Sequence, residues 1–382
     1  MLAWEVVFWL CAALLVYAQI GYPLVLAALA RVRRARAAAA PAPAPAPAQQ
    51  PYVSLIVAAY DEEAVIARKV ANALALDYPR DRLEIVVASD GSSDGTAQQA
   101  RGAGADLVLE LARGGKIRAQ DAAVAASRGE IVAFSDANSI WERDALRTLV
   151  AAFADPRVGY ACGQVTFVSG CAGGTNQEGL YWRYEMALRA LESRLGSITA
   201  GNGAIYATRR ESYIVVDPIM GHDLSFPFNM VKRGWRAVYV PAARAREKMV
   251  PSIEGEFARK RRMMSHTWPI VLRGGLLSPR GYPPLYALMI ASHRVLRYVA
   301  PFLHVAALVA SFVLGATSTF YAIALALQLA LIVAALLARV VPLRPLLVVR
   351  YYVLTTASVA AGLWDWLRHG TPAGWEPAEG TR

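Results

Sequence analysis

Cysteine is scarce in this sequence: the 382 residues contain three, Cys11, Cys162 and Cys171. No two of them have the spacing of a zinc site. Cys162 and Cys171 lie in a segment that we assign below to the cytoplasm, where thiols stay reduced. We therefore exclude a cysteine-based metal site and predict that the three side chains serve packing.

Two familiar nucleotide-binding signatures are also missing. Gly114-Gly115-Lys116 resembles a phosphate loop, but Glu110 stands where the Walker motif has glycine and Ile117 where it has serine or threonine. No Gly-x-Gly-x-x-Gly follows the first strand-like run. These absences argue against an ATPase and against a dinucleotide-dependent dehydrogenase.

Motifs for nucleic-acid binding are absent as well, although the formal net charge is +11. The sequence has no zinc-finger spacing and no RNA-binding aromatic motif. Many of the arginines instead flank apolar segments, where they would meet anionic lipid headgroups. We therefore expect membrane lipid as a partner and no nucleic acid.

Charge is missing from two long stretches. Residues 6–30 and 298–338 contain no Asp, Glu, Lys or Arg, and each exceeds the roughly 20 apolar residues that span a bilayer. We predict an N-terminal transmembrane helix over residues 1–30. A C-terminal transmembrane region of two or three spans is predicted over 298–368, with a turn near 315–319.

The arginines after the first apolar stretch indicate its orientation. Residues 31–36 read Arg-Val-Arg-Arg-Ala-Arg, which places residue 31 onward in the cytoplasm by the positive-inside rule. This predicts a multi-pass protein of the cell (inner or plasma) membrane with a cytoplasmic domain. A last apolar segment, 351–364, is either a span begun at Leu346 or a helix in the interface, which leaves the side of the tail (369–382) open.

Between the apolar stretches the pattern becomes that of a water-exposed domain. A basic and Ala/Pro-rich linker (31–50) precedes residues 51–254, where strand-like runs alternate with helical spacing. Repeated strand–helix units predict a parallel sheet covered on both faces. Residues 255–297 are predicted to form amphipathic interfacial helices. For 255–273 a helix on the membrane surface is favoured over a core-facing helix with solvated arginines.

Carboxylates follow two of the strand-like runs. An open α/β sheet places its ligand at the C-terminal ends of its strands, so we assign Asp90 to a ligand and Asp94 to a helix cap. Asp136 and Asn138, two positions apart, can hold a hard cation against a diphosphate. An ordinary helix cap explains this second pair equally well.

Two further positions can carry chemistry. The ring of Tyr60 can stack on a base and the nearby carboxylate of Glu62 can bind a ribose, although acids there also favour a helix N-terminus. Asp223 can act as a general base toward an acceptor hydroxyl. A helix cap is the alternative for Asp223.

Taken in order, these segments resemble the family-2 glycosyltransferases, which have the GT-A fold. The likeness runs from about Tyr52 to Arg262. Arg259-x-x-Arg262-Met263 is similar to the Gln-x-x-Arg-Trp motif of membrane-bound cellulose, chitin and hyaluronan synthases. The other segments that carry the likeness are 53–62, Asp90–Thr96, Gly115–Asp121, Asp136–Asn138, Gly201–Ala204 with Arg209-Arg210, and His222-Asp223.

The resemblance implies an α/β GT-A domain, Rossmann-like with a mostly parallel sheet, flanked by transmembrane helices. It also implies inverting transfer of a sugar from a nucleotide-diphosphate donor, with a UDP-sugar expected, to a lipid-linked or polysaccharide acceptor. Mg²⁺ or Mn²⁺ is the implied cofactor. By this resemblance Tyr60, Glu62, Asp90, Lys116, Asp136 and Arg262 bind the nucleotide, Asp136 and Asn138 hold the metal, Asp223 is the catalytic base, and Gly201, Asn202, Gly203 and His222 form the acceptor side.

Two alternative functions stay open. One is processive synthesis of an exopolysaccharide, which Met263 in place of tryptophan and the small number of spans count against. The other is a catalytically silent, nucleotide-binding membrane subunit of a polysaccharide-synthesis complex. The departures from the family pattern at Asn138, His222 and Met263 motivate the second alternative. The joint retention of Asp90, Asp136 and Asp223 counts against it.

Overall fold

A computed structural model describes residues 1–37, 50–168, 176–248 and 253–374. Linker residues 38–49, Cys171 and tail residues 375–382 lie outside the described part. Cys11 and Cys162 are free and buried, as predicted for packing residues.

One sheet of eight strands forms the centre of the α/β domain, in the order β3-β2-β1-β4-β7-β6-β8-β5. The strands β3, β2, β1 and β4 are parallel to one another, which confirms the predicted α/β class. β7 runs antiparallel between β4 and β6, so the sheet is mixed. The strands are β1 (Val53–Ala59), β2 (Leu83–Asp90), β3 (Leu107–Leu111), β4 (Ile131–Asp136), β5 (Ile140–Trp141), β6 (Val158–Val168), β7 (Ile205–Arg209) and β8 (Arg236–Lys248).

Helices cover both faces of this sheet. Every residue of β1 is buried, which explains why its sequence is a continuous apolar run rather than an alternating one. Leu55 belongs to the core on one face and Ile56 to the core on the other, because successive side chains of a strand point to opposite faces. The helices from the domain are α3 (Glu63–Leu74), α4 (Thr96–Gly102), α5 (Lys116–Ala126), α6 (Ala145–Ala151), α7 (Asn176–Leu195), α8 (His222–Lys232) and α9 (Ile253–Leu272).

Both ends of the chain contribute apolar helices. Four helical segments are long and apolar enough to cross a membrane: Leu2–Arg33, Pro284–Leu314, Thr319–Leu337 and Arg344–His369. The turn predicted near 315–319 separates the second from the third. These segments comprise α1 (Leu2–Val16) and α2 (Tyr22–Ala37), α10 (Pro284–Met289) and α11 (Leu296–Leu314), α12 (Thr319–Leu337) and α13 (Arg344–His369).

The apolar face of α9 packs against α13. Trp268, 6% exposed, donates its indole N–H to the carbonyl of Val359 at 2.9 Å. A side chain on Gly362 of α13 would collide with Met264 of α9. The face that the sequence predicted to rest on lipid is therefore buried against another helix. The spacing of apolar residues in α9 could not show whether this face contacts lipid or another helix, because both surroundings are apolar.

The C-terminal segment after α13 lies against the α/β domain. The hydroxyl of Thr371 donates to the carbonyl of Ser265 at 2.8 Å, and a side chain on Gly115 would collide with the Ala373 carbonyl. We propose that α10–α11 and α12 cross the membrane outward and back, so that α13 would begin and end on the side of the domain. We infer that α13 lies along the interface, one of the two arrangements that the sequence left open.

This arrangement predicts the sidedness of the tail. In protein without the three native cysteines, a cysteine at Ala378→Cys should react with an impermeant maleimide from the same side as Asp81→Cys on the domain. Asp81 has 83% of its side chain exposed, and Ser318→Cys, in the loop before α12, should react from the opposite side. If the cysteine of Ala378→Cys reacts from the same side of the membrane as that of Ser318→Cys, α13 spans the membrane.

Candidate active site

The two acidic turns of the sequence meet at one edge of the sheet. β1 pairs in parallel with β2 and with β4, so that Ala59 lies opposite Ser89 and Ala58 opposite Asp136. The turns after these three strands therefore start side by side. This is the edge at which an open α/β sheet binds its ligands.

Hydrogen bonds join the turn after β1 to the turn after β2. Asp61 has a φ of +48°, a left-handed conformation that Asn and Asp adopt more readily than most residues. Its carboxylate accepts the amide of Ser93 at 2.8 Å. Asp94 accepts the amides of Thr96, where α4 begins, and of Glu63, where α3 begins, each at 3.0 Å. Asp94 thus has the capping role that the sequence predicted.

Asp90 is held inside this edge. It is 1% exposed, and its carboxylate accepts Nη1 of Arg113 at 2.8 Å and the amides of Gly114 and Gly115 at 2.7 and 2.9 Å. Asp90 thereby ties the tip of β2 to the loop before α5. In the structure the Asp90 carboxylate supports the loop that contains Arg113, Gly114 and Gly115. Its binding to a nucleotide stays a prediction.

Tyr60 and Arg113 form the exposed part of the same region. The guanidinium carbon of Arg113 lies 3.3 Å from the centroid of the Tyr60 ring. Glu62, by contrast, is 3% exposed, and its amide donates to the hydroxyl of Thr96 at 2.8 Å. Tyr60 is therefore half-buried under an exposed Arg113, whereas Glu62 is buried. Sequence reasoning missed Arg113, although a basic residue directly before Gly114-Gly115 was a usable signal.

Lys116 links the loop after β3 to the second acidic turn. Its ammonium group is hydrogen-bonded to Asp136 as an ion pair. Burial lowers the pKa of Lys116, but Asp136, Asp223 and Glu247 outweigh burial and raise it above the ordinary value. Lys116 therefore pairs directly with Asp136 and lies within the electrostatic influence of Asp223 and Glu247 from other parts of the chain.

Lys69 and Glu247 lie close to the Asp136 turn. Lys69, fully buried, donates to the carbonyl of Ser139 at 2.8 Å, and burial lowers its pKa to about 7 against the charges of Asp136 and Glu247. Burial and Asp136 raise the pKa of Glu247 to about 7. Sequence reasoning missed both residues, because neither lies in a recognisable motif.

Asp223 stands at the start of α8, next to the predicted acceptor segment. Its backbone carbonyl accepts the amide of Gly201 at 2.7 Å. Asn202 fastens the segment by donating to the carbonyl of Gly163 at 2.7 Å. A side chain on Gly203 would come within 3.5 Å of the Lys116 ammonium. The acceptor segment, Asp223 and Lys116 are therefore neighbours, although they are far apart in sequence.

His222 does not face this space. It is 3% exposed, shares a 2.8 Å hydrogen bond with the Tyr206 hydroxyl and stacks on Phe226. Burial and the charge of Lys116 hold the pKa of His222 well below its ordinary value, so the imidazole is neutral. His222 thus packs in the core, since successive residues of a helix point about 100° apart, and its assignment to the acceptor side stays a prediction.

Arg262 lies exposed on α9, near the same edge. Burial lowers the pKa of His266; the charge of Arg262 lowers it further, whereas Asp223 raises it, so both groups lie near this histidine. Arg259 pairs with Glu256 at 2.7 Å and Arg261 with Asp365 at 2.6 Å. Within the described ranges, no acidic side chain is recorded as pairing with Arg262.

The site offers oxygen ligands but no complete protein cage for a metal. Among the described residues, no group of three or more His, Cys, Asp or Glu side chains could hold a metal ion. Asp136 and Asn138 supply oxygen atoms, and one carboxylate oxygen of Glu247 is buried without a hydrogen-bond partner. Such a set fits a hard cation that also binds substrate phosphates, the usual arrangement for Mg²⁺.

The fold and this edge define a GT-A α/β domain with cationic and carboxylate side chains at the ends of its parallel strands. Comparison with known families identifies the chain further. Residues 50–265 match the family "Glycosyltransferase like family 2", so the chain belongs to that family.

Individual relatives agree with this family. The β-monoglucosyldiacylglycerol synthase of Synechocystis is 36% identical over 179 residues, which cover 42% of this chain and 36% of that enzyme. An N-acetylglucosaminyltransferase of Rhizobium is 26% identical over 55% of this chain and 51% of its own length. This chain thus spans between a third and about half of the length of these two relatives.

A solved structure resembles nearly the whole chain. The mannosyltransferase PcManGT of Pyrobaculum calidifontis, in complex with GDP-Man and Mn²⁺, superposes with a TM-score of 0.68 at 26% identity. The match covers 95% of this chain and 99% of that one. It therefore includes the apolar helices at both ends and confirms the GT-A fold.

Proposed function

We propose that this protein is a membrane-bound, inverting glycosyltransferase that moves a sugar from a nucleotide-diphosphate donor to an acceptor hydroxyl. One observation carries the proposal: Lys116 pairs with Asp136 and lies within the field of Asp223. The Lys116 ammonium, proposed to bind the diphosphate, and the Asp223 carboxylate, proposed to act on the acceptor, would thereby lie at the same edge of the sheet. Family membership and the superposition on a mannosyltransferase support the same chemistry.

The proposed reaction is a single displacement. The acceptor oxygen attacks the anomeric carbon as the bond from that carbon to the diphosphate oxygen breaks, and the Asp223 carboxylate takes the acceptor proton. Lys116 and Arg262 stabilise the negative charge that develops on the leaving diphosphate. The neutral, buried His222 supports the start of α8, where Asp223 lies.

A divalent cation fits this scheme. Mg²⁺ or Mn²⁺ held by Asp136 and Asn138 would neutralise charge on the diphosphate when it is bound. Asn138 provides a neutral ligand in place of a carboxylate, so most of the affinity for the cation would come from the donor itself. Glu247, with its buried, unpaired oxygen, is a further group that such a cation would stabilise.

The nucleoside would lie against Tyr60 and Arg113, with Asp90 holding the loop beneath. We propose uridine diphosphate as the carrier from the family resemblance. The GDP-Man in PcManGT makes guanosine diphosphate the carrier to test beside it. The catalytic domain would face the cytoplasm, where the arginines after the first span place it.

The acceptor is proposed to be lipid-linked. The α9–α13 pair joins the domain to the membrane helices, and Arg262 of the active edge lies on α9. The glucosyldiacylglycerol synthases among the relatives act, by name, on a lipid. A membrane-bound acceptor would reach the Gly201–Gly203 segment beside Asp223 without leaving the bilayer surface.

Release of the nucleotide from a panel of UDP- and GDP-sugars tests this proposal. Full-length protein in lipid vesicles, with Mn²⁺ or Mg²⁺ and with diacylglycerol or a membrane lipid extract, should release one nucleotide from one donor. Mass spectrometry of the lipid should show a single added sugar, whereas a ladder of sizes would indicate the processive alternative. Nucleotide binding without release from any donor would favour the silent subunit.

A further inference from the structure

A second concave site lies where the membrane helices meet the domain. It has a volume of about 500 Å³, and both parts of the protein line it, with Arg33 at the end of the first span and Tyr286 at the start of the next. Val231, near the end of α8, also lines it. Asp223 and Val231 are eight residues apart on α8, and a helix rises about 1.5 Å per residue, so the cavity and the active edge are about 12 Å apart along this helix.

The lining of this cavity is strongly basic. It contains Arg33, Arg157, Arg194 and Arg236 and no acidic residue. Asp155, just outside it, pairs with Arg157 at 3.0 Å and with Arg236 at 2.9 Å. Arg33 and Arg194 are exposed, and no acidic partner is recorded for either within the part of the chain that the structure describes. The cavity therefore has an excess of positive charge that an anion would neutralise.

The rest of the lining is mostly apolar, and there is open space beside two of its glycines. Leu195 and Met289, 3% and 1% exposed, contribute to the lining. A side chain added to Gly196 or Gly234 would meet nothing within 4 Å. The cavity thus offers room for an anionic group beside a surface suited to hydrocarbon, which a free inorganic anion would not use.

The position of the cavity matches the height of lipid headgroups. The apolar segment Leu2–Arg33 ends at this cavity, and the segment Pro284–Leu314 begins there. The cavity therefore opens at the boundary between the apolar helices and the water-exposed domain. Arginines at this level meet the phosphates of anionic lipids. We propose that this cavity binds the phosphate group of an anionic membrane phospholipid, with Arg33 and Arg194 as its principal contacts.

Bound there, the lipid would fix the domain on the bilayer. Arg194 lies in the last turn of α7. Arg236, which also lines the cavity, donates to the carbonyl of Gly196 at 3.2 Å. Gly196 begins the chain segment that leads to Gly201 beside Asp223. A lipid held by these arginines would therefore orient the acceptor segment toward the membrane, independently of which sugar the active site transfers.

Native mass spectrometry of the full-length protein tests the site. A short-chain phosphatidylglycerol should bind more tightly than phosphatidylcholine of the same chain length. The double variant Arg33→Gln/Arg194→Gln should weaken that binding by about tenfold, since hydrogen bonds to charged groups are lost. The control is Arg147→Gln, which removes one guanidinium group from the exposed ion pair with Asp77. This variant should bind phosphatidylglycerol as tightly as the native protein does.

Two readouts keep the result interpretable. An unchanged melting temperature and unchanged UDP or GDP binding in the double variant would show that the fold and the active edge are intact. Equal phosphatidylglycerol binding by native protein and double variant would overturn the proposal, as would equal binding of phosphatidylcholine. Inorganic phosphate that binds as tightly as phosphatidylglycerol would show a soluble-phosphate site and overturn the lipid assignment.

Discussion

Replacing Asp223 by asparagine is expected to lower kcat by a factor of about 10² to 10⁴, the range that general-base catalysis contributes. Asparagine has nearly the same shape, but it cannot take the acceptor proton. The bond from Gly201 to position 223 uses the backbone carbonyl, so the acceptor segment should stay in place. Nucleotide affinity should change by less than about twofold, which is less than about 0.5 kcal/mol.

Nucleotide release and nucleotide binding are measured on the same preparation for this prediction. Asp81→Asn is the matched control, because its side chain is 83% exposed and lies before β2, away from the active edge. Turnover close to the native rate in Asp223→Asn would remove the general-base assignment. Absence of turnover in the native protein, with nucleotide still bound, would instead support the silent-subunit alternative.

Replacing Lys116 by methionine is expected to change metal and nucleotide binding in opposite directions. In the structure the Lys116 ammonium pairs with Asp136, a proposed metal ligand. Without that competing charge, Mn²⁺ alone should bind more tightly. The nucleotide diphosphate should bind about tenfold more weakly, because a charge-assisted hydrogen bond to a phosphate is worth about 1.5–3 kcal/mol.

Isothermal titration calorimetry distinguishes the two effects. Mn²⁺ and UDP or GDP are titrated separately and then together into native protein, Lys116→Met and Asp136→Ala. The native protein should bind metal and nucleotide more tightly together than apart, and Asp136→Ala should lose this coupling. Arg147→Met serves as the charge control. Weaker binding of both ligands to Lys116→Met would contradict the proposed competition at Asp136.

Much of the site could be predicted because its residues follow strand ends. Asp90 and Asp136 each come after a buried apolar run, and parallel strands bring their C-terminal ends to one edge. The structure accordingly places these turns side by side. The role of Asp94 as a cap could be predicted for a similar reason, since it depends on residues close in sequence.

Contacts between distant segments were not readable in the same way. Arg113 closes over Asp90 and Tyr60, and its position before Gly114-Gly115 was the only local signal for it. Lys69 and Glu247 flank the Asp136 turn, and neither lies in a pattern with a local meaning. The direction of β7 was likewise missed, because an apolar run indicates a strand but not whether its neighbour is parallel or antiparallel.

His222 and Asp223 illustrate the same limit at two adjacent positions. The sequence assigns both residues to the same site. In the first turn of α8, however, His222 points into the core, whereas Asp223 lies close enough to Lys116 to influence its charge. Likewise, the apolar face of α9 was recognised, whereas its burial against α13 depended on a helix about a hundred residues later. The spacing of apolar residues along a helix shows that one face is apolar, but it does not show what packs against that face.

The amino-acid pattern alone was enough to predict the order of apolar helices and α/β domain, the sheet edge where Asp90 and Asp136 lie, and the family. These follow from local properties: uncharged length, apolar periodicity and residues at strand ends. Only the tertiary structure decided which groups face one another there, that His222 is buried, and that the C-terminal segment returns to the domain. Each of these depends on packing between residues far apart in the chain, and local propensity carries no information about such pairs.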